Sequence, residues 1–231
     1  MSTRSSYFDE FIPLDRTFHD LILEKRADDD AGLARTFGRH EPLRWPDLLR
    51  EHRVILLSEA GSGKTAEIRN IAISLRREGK HAVFVRIEHV TQAFEDAFEE
   101  GGFDEFSAWV ASGEEGWLLL DSVDEARLRD PKDFERAIKK LGRLLSAVLQ
   151  RAHIIVTGRT TAWRAKTDLL LCQKELPYHP AEKAVDEEAS ADNAQEIATK
   201  NTDAKTSPTA PVRIVALDGL HGSQSETLFR G

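Results

Sequence analysis

Apolar positions along the chain fall into short unbroken runs separated by stretches with helical spacing. Runs at 53–57, 81–87, 117–120, 153–157 and 212–217 are rich in Val, Ile, Leu and Phe. Unbroken runs of that length predict strands buried on both faces, as in a parallel sheet. After the first run, Ile68, Ile71, Ala72 and Leu75 recur at helical spacing, and Gly79 ends the helix. Segments 91–98 and 103–110 are predicted as two short helices split by Gly101-Gly102. The clearest helix has Asp130 as N-cap and Pro131 as first residue, and its apolar stripe runs from Phe134 to Leu149. Alternating strands and helices predict an α/β fold. The expected form is a three-layer sandwich whose parallel sheet has about five strands, with helices on both faces.

The same pattern divides the chain. Residues 1–40 are irregular and mixed in charge, and predict a peripheral arm. Residues 41–176 hold the core. It opens with a short helix signalled by Pro46 and Asp47, where Trp45 suits either packing or stacking on a base. Residues 177–211 lose large apolar groups and predict a flexible acidic linker. Residues 212–231 supply a last strand and, from the capping box at Ser223 and Glu226, the start of a helical lid. A helix opened there and ended at Gly231 predicts a piece of a longer protein.

One turn stands out from the pattern. Ser58-Glu59-Ala60-Gly61-Ser62-Gly63-Lys64-Thr65 follows the first apolar run and opens the first helix. Strand, glycine-rich turn, Lys-Thr and helix is the build of a phosphate-binding loop. Glycines let successive N–H groups turn inward, and the helix aims its positive end at the same place. Lys64 suits the outer phosphates and the Thr65 hydroxyl suits Mg²⁺. Ser58 stands where the full pattern has its first glycine; that position closes the strand, so Ser fits an extended backbone there.

Composition narrows the partners. The formal net charge is −8, which speaks against a general nucleic-acid surface. The single cysteine, Cys172, permits no internal disulfide and fits a reducing cytosol. No apolar segment reaches the length of a membrane span. A cytoplasmic protein without membrane contact is expected.

Chemistry-bearing residues gather at strand ends, where ligands of such sheets bind. Asp121 closes the third run and suits a Mg²⁺ partner beside Thr65. Glu125 lies four residues on and suits a water-activating base, a task Asp124 can share. Arg159 follows the fourth run and suits a γ-phosphate contact.

Three segments together resemble the NACHT-type NTPases of the STAND class: Ser58 to Thr65; Leu118-Leu119-Leu120-Asp121-Ser122-Val123-Asp124-Glu125; and Ile154-Ile155-Val156-Thr157-Gly158-Arg159. In that family a small residue follows the Mg²⁺ aspartate, here Ser122, and two acids follow, here Asp124 and Glu125. The post-strand Thr-Ser-Arg of the family resembles Thr157-Gly158-Arg159, with Gly158 in place of Ser. The resemblance covers residues 45–161, and more weakly 212–229. It implies a P-loop fold of the additional-strand (ASCE) type, the extra strand being 81–87. It also implies ATP and Mg²⁺ as cofactors and slow hydrolysis. The expected role is a switch module in a larger signalling or antiviral defence protein, with other domains or subunits as partners. Two other readings stay open here: an AAA-type ring motor, and a nucleotide-binding scaffold that never hydrolyses.

Overall fold

The computed structural model describes residues 14–23, 33–35, 41–121, 123–180 and 211–219. Its strands are β1 (Phe18–Leu23), β2 (Leu33–Arg35), β3 (Arg53–Ser58), β4 (His81–Arg86), β5 (Phe98–Glu100), β6 (Gly116–Asp121), β7 (Ala152–Arg159) and β8 (Arg213–Leu217). They join in the order β2-β1-β8-β3-β7-β6-β4-β5. The helices are α1 (Trp45–Leu48), α2 (Lys64–Arg77), α3 (Ile87–Val90), α4 (Phe103–Ala111), α5 (Val123–Arg129), α6 (Asp133–Leu144) and α7 (Ala165–Glu175).

The sheet is mixed rather than five parallel strands. Its centre, β8-β3-β7-β6-β4, is parallel throughout. Antiparallel strands extend both sides: β1 on β8 and β2 on β1 at one edge, β5 on β4 at the other. Every residue of β3 and β6 is buried, as their unbroken apolar runs predict. The run at 81–87 precedes the acidic strand along the chain but does not lie between it and the glycine-rich loop in the sheet. There, β7 separates β3 from β6.

Alternate strand side chains point to opposite faces. Val54, Leu56, Phe84, Leu119 and Ile155 pack with Ile68 and Ala72 of α2 and with Trp45 and Leu48 of α1. Ile55, Leu57, Val85, Leu118 and Leu120 pack on the other side against α3, α5, α6 and α7. The expected helix–sheet–helix layering therefore holds.

Several elements differ from the sequence pattern. The arm expected to be irregular contains β1, and its Phe18 is fully buried against Trp45, ring centroids 5.0 Å apart. Segment 91–98 is not a helix. A single 3-10 turn at Phe94–Asp96 leads into β5, and Arg86 N–H donates to Ala97 O at 2.9 Å. The aromatic spacing served a cluster of Phe94, Phe98 and Phe106, not a helical stripe. α6 ends at Leu144, yet Leu145 and Val148 stay buried, because tight turns with Val148 N–H bonded to Leu145 O keep them over the core. The linker beyond residue 180 and the capping box at 223–226 lie outside the described residues.

The end of the sheet away from the strand C-termini is stapled by one side chain. Buried Arg53 donates to Leu176 O at 2.6 Å, Ala152 O at 2.5 Å, Leu149 O at 2.7 Å and Pro177 O at 2.9 Å. Those carbonyls belong to the last turn of α7 and the approach to β7, ends that helices and strands leave unsatisfied. Burial pushes the Arg53 guanidinium down to about 10. Among the described residues, no helix is long and apolar enough to cross a membrane.

Gly142 of α6 faces the end of α7, where an added Cβ would lie 2.4 Å from Glu175 O. Helix propensity alone makes Gly→Ala favourable by about 1 kcal/mol. A clash with a backbone carbonyl outweighs that, since overpacking costs about 1–3 kcal/mol. Gly142→Ala is expected to lower the denaturation midpoint; a raised midpoint would show that α7 yields freely.

Candidate functional site

The loop between β3 and α2 opens at the C-terminal edge of the parallel strands. Ser58 ends β3 in register with Arg159 of β7 and is buried. Its extended backbone explains why glycine is not required there. Gly61 and Gly63 have φ of 75° and 79°, the left-handed region that glycine adopts at no steric cost. A Cβ at either would meet nothing within 4 Å, so the demand is conformational and the space beside the loop is open. Glu59 and Ala60 are exposed, while Lys64 and Thr65 are half-buried at the start of α2. Ser62 Oγ donates to Ser58 Oγ at 2.9 Å and closes the loop across its base.

Asp121 is fully buried at the end of β6. Its Oδ2 accepts from the Thr65 hydroxyl at 2.6 Å, and its Oδ1 accepts from the Thr157 hydroxyl. The structure thus brings the loop, the acidic strand and the neighbouring strand to one point. Ser122 lies outside the described residues. Asp124 and Glu125 occupy the first turn of α5, a helix that the sequence pattern did not reveal. Asp124 Oδ2 lies 2.6 Å from Arg159 Nε. The opposite oxygens, Asp124 Oδ1 and Glu125 Oε2, are buried with no hydrogen-bond partner among the described residues. Unsatisfied buried acceptors are costly, and functional sites are where they persist.

Gly158 has a packing reason. A Cβ there would lie 3.1 Å from Val123 Cβ, so glycine lets the start of α5 approach β7. Arg127, one turn along α5, donates to Ala162 O and lies 2.5 Å from Asp168 Oδ1. The ion pair ties the acid-bearing helix to α7, and the bond to Ala162 O ties it to the turn that follows Arg159.

Of the two roles the sequence left open for Trp45 the structure shows packing, and Arg16 acquires a role that the sequence did not give it. Trp45 packs rather than presenting a free face: it is buried edge-on to Phe18, and its Nε1 donates to Glu67 Oε2 at 3.2 Å. Arg16, in the arm read as peripheral, is buried and donates to Ser62 O of the loop at 3.2 Å. A lone arginine outside any motif carries no signal; only the β1–β8 pairing makes it visible.

Among the described residues, no group of three or more His, Cys, Asp or Glu is gathered as a metal cage. The Thr65–Asp121 pair fits a different kind of site. Mg²⁺ takes one or two protein oxygens and completes its octahedron with water and phosphate oxygens. No protein-family model matches the chain, and no curated protein matches it.

Burial raises the Glu67 carboxyl above its usual value of 4.5, against the Trp45 hydrogen bond and the Arg16 charge. A carboxyl raised on folding favours its neutral form, so stability present below the unfolded value is lost as pH rises through the folded one. Glu67→Gln keeps an acceptor for Trp45 and does not titrate. Its melting temperature relative to the parent is expected to improve from pH 4 to pH 7.5. A relative loss over that range, in thermal melts at both pH values, contradicts the burial effect.

Proposed function

We propose that this chain is a P-loop NTPase module of NACHT/STAND type that binds ATP with Mg²⁺ and hydrolyses it slowly, as a switch within a larger signalling or defence protein. One observation carries the reading. The open glycine-rich loop, the Thr65–Asp121 hydrogen bond of 2.6 Å and the Asp124–Arg159 pair converge at the C-terminal ends of adjacent parallel strands. The position of β7 between β3 and β6 supports the additional-strand form of the fold.

Each residue then has a task. The loop N–H groups and the start of α2 receive phosphate oxygens, and Lys64 adds a point charge. Thr65 and Asp121 would hold the metal. Mg²⁺, when bound, offsets phosphate charge as the terminal bond breaks. Glu125 has a buried oxygen without a partner among the described residues and is the group to orient or deprotonate an attacking water. Asp124 instead holds Arg159. This supports slow turnover, because the guanidinium must leave a buried carboxylate before it contacts a phosphate.

Lys64→Ala is expected to weaken ATP binding in calorimetry. Glu125→Gln is expected to bind ATP as the parent does and to slow single-turnover phosphate release by about 10²–10⁴-fold. Release at the parent rate would remove the base assignment. A parent that binds ATP without ever releasing phosphate would establish the scaffold reading instead.

A further inference from the structure

Ser62 is flanked by two glycines in the left-handed region, Gly61 and Gly63. Glycine moves between backbone regions at little steric cost. The peptide group joining Ser62 to Gly63 therefore resists turning over only weakly by itself. Its orientation matters, because a trans peptide is planar and holds C=O and N–H on opposite sides. Whichever way Ser62 O points, the Gly63 N–H points the other way.

Ser62 O has a dedicated partner. Arg16 Nη1 donates to it at 3.2 Å, and Nη2 of the same guanidinium donates to Asp218 O at 2.9 Å. Arg16 is only 4% exposed. Its neighbours fix it from behind. Thr17 Oγ1 donates to Asp218 Oδ2 at 2.7 Å, His19 Nδ1 lies 2.6 Å from Asp218 Oδ1, and Asp218 N–H donates to Thr17 O at 2.9 Å. The guanidinium thus spans from the β1–β8 clasp to the loop. Neither end is easily given up, since a buried charge without partners is costly.

We propose that Arg16 is a positioning residue: it locks the Ser62–Gly63 peptide so that the Gly63 N–H faces the bound phosphate, and so couples occupancy of the loop to the pairing of β1 with the end of β8. The proposal rests on the nucleotide reading above and names a coupling within that site. Coupling between sites is reciprocal. A phosphate held by the Gly63 N–H stabilises the peptide orientation that Arg16 grips, and the clasp tightens in return. Arg16 touches no reacting atom, so its loss acts on affinity rather than on the rate of bound nucleotide.

The test uses the full chain with ATP and Mg²⁺. Arg16→Gln is expected to weaken ATP binding about tenfold, the worth of one charge-assisted hydrogen bond. Its single-turnover rate at saturation should stay within about twofold of the parent. Arg16→Lys, which keeps the charge, should recover part of the affinity. In the parent, ATP should slow amide exchange across Phe18–Leu23, and Arg16→Gln saturated with ATP should lose that protection.

Unchanged exchange across β1 in the ATP-bound parent overturns the proposal, and so does Arg16→Gln binding as tightly as the parent. A loss of binding that tracks a lowered melting temperature, and that Arg16→Lys does not recover, marks Arg16 as a packing group and also overturns it. Lys64→Ala separates the two levels. If it loses binding while Arg16→Gln does not, only the coupling falls. If the parent itself shows no saturable binding, the phosphate-loop reading falls with it.

Discussion

A buried carboxyl group with two hydroxyl donors organises this molecule. Asp121 is fully shielded from solvent and accepts from Thr65 of α2 and Thr157 of β7. Burying such a group is costly unless its oxygens are hydrogen-bonded, so the donors must stay in place. That requirement fixes the start of α2 over the end of β6, and β7 beside both. The glycine-rich loop enters α2 directly, and Arg159 closes β7. One satisfied side chain therefore sets the mutual geometry of three segments distant in sequence.

Around that point the acids divide their roles. Asp124 is tied to Arg159 through one oxygen, while its other oxygen and one of Glu125 are buried without a partner among the described residues. Buried oxygens left without partners are costly in the absence of a bound group. Arg127, paired with Asp168 and bonded to Ala162 O, holds α5 and the Arg159 turn as one unit. Gly158 permits their close contact. From the far side, Arg16 reaches Ser62 O, so the loop is gripped from the sheet edge as well.

The parallel centre and the loop were legible because they rest on local signals. Unbroken apolar runs mark strands covered on both faces, and Gly61, Gly63, Lys64 and Thr65 mark a turn with few other uses. The edges were not legible. β1 carries His19 and Asp20, whose partners Asp218 and Arg213 lie far along the chain. β5 is three residues long and holds two glutamates that pair with Arg69 of α2. α5 begins directly after the acidic strand and has no separate stripe, and α7 has one exposed leucine, Leu170, where a stripe would continue. The site residues were named from sequence, but the Asp124–Arg159 pairing and Arg16 depend on tertiary contacts that no spacing encodes.

The account depends most on the loop being a phosphate site completed by Thr65 and Asp121. The direct measurement is a calorimetric titration of the whole chain with a non-hydrolysable ATP analogue, in Mg²⁺ and again in excess chelator. The expected result is saturable one-to-one binding in Mg²⁺ that weakens at least about tenfold without it, the loss of one set of metal-bridged contacts. No saturable heat in Mg²⁺, or an affinity indifferent to the metal, would contradict it.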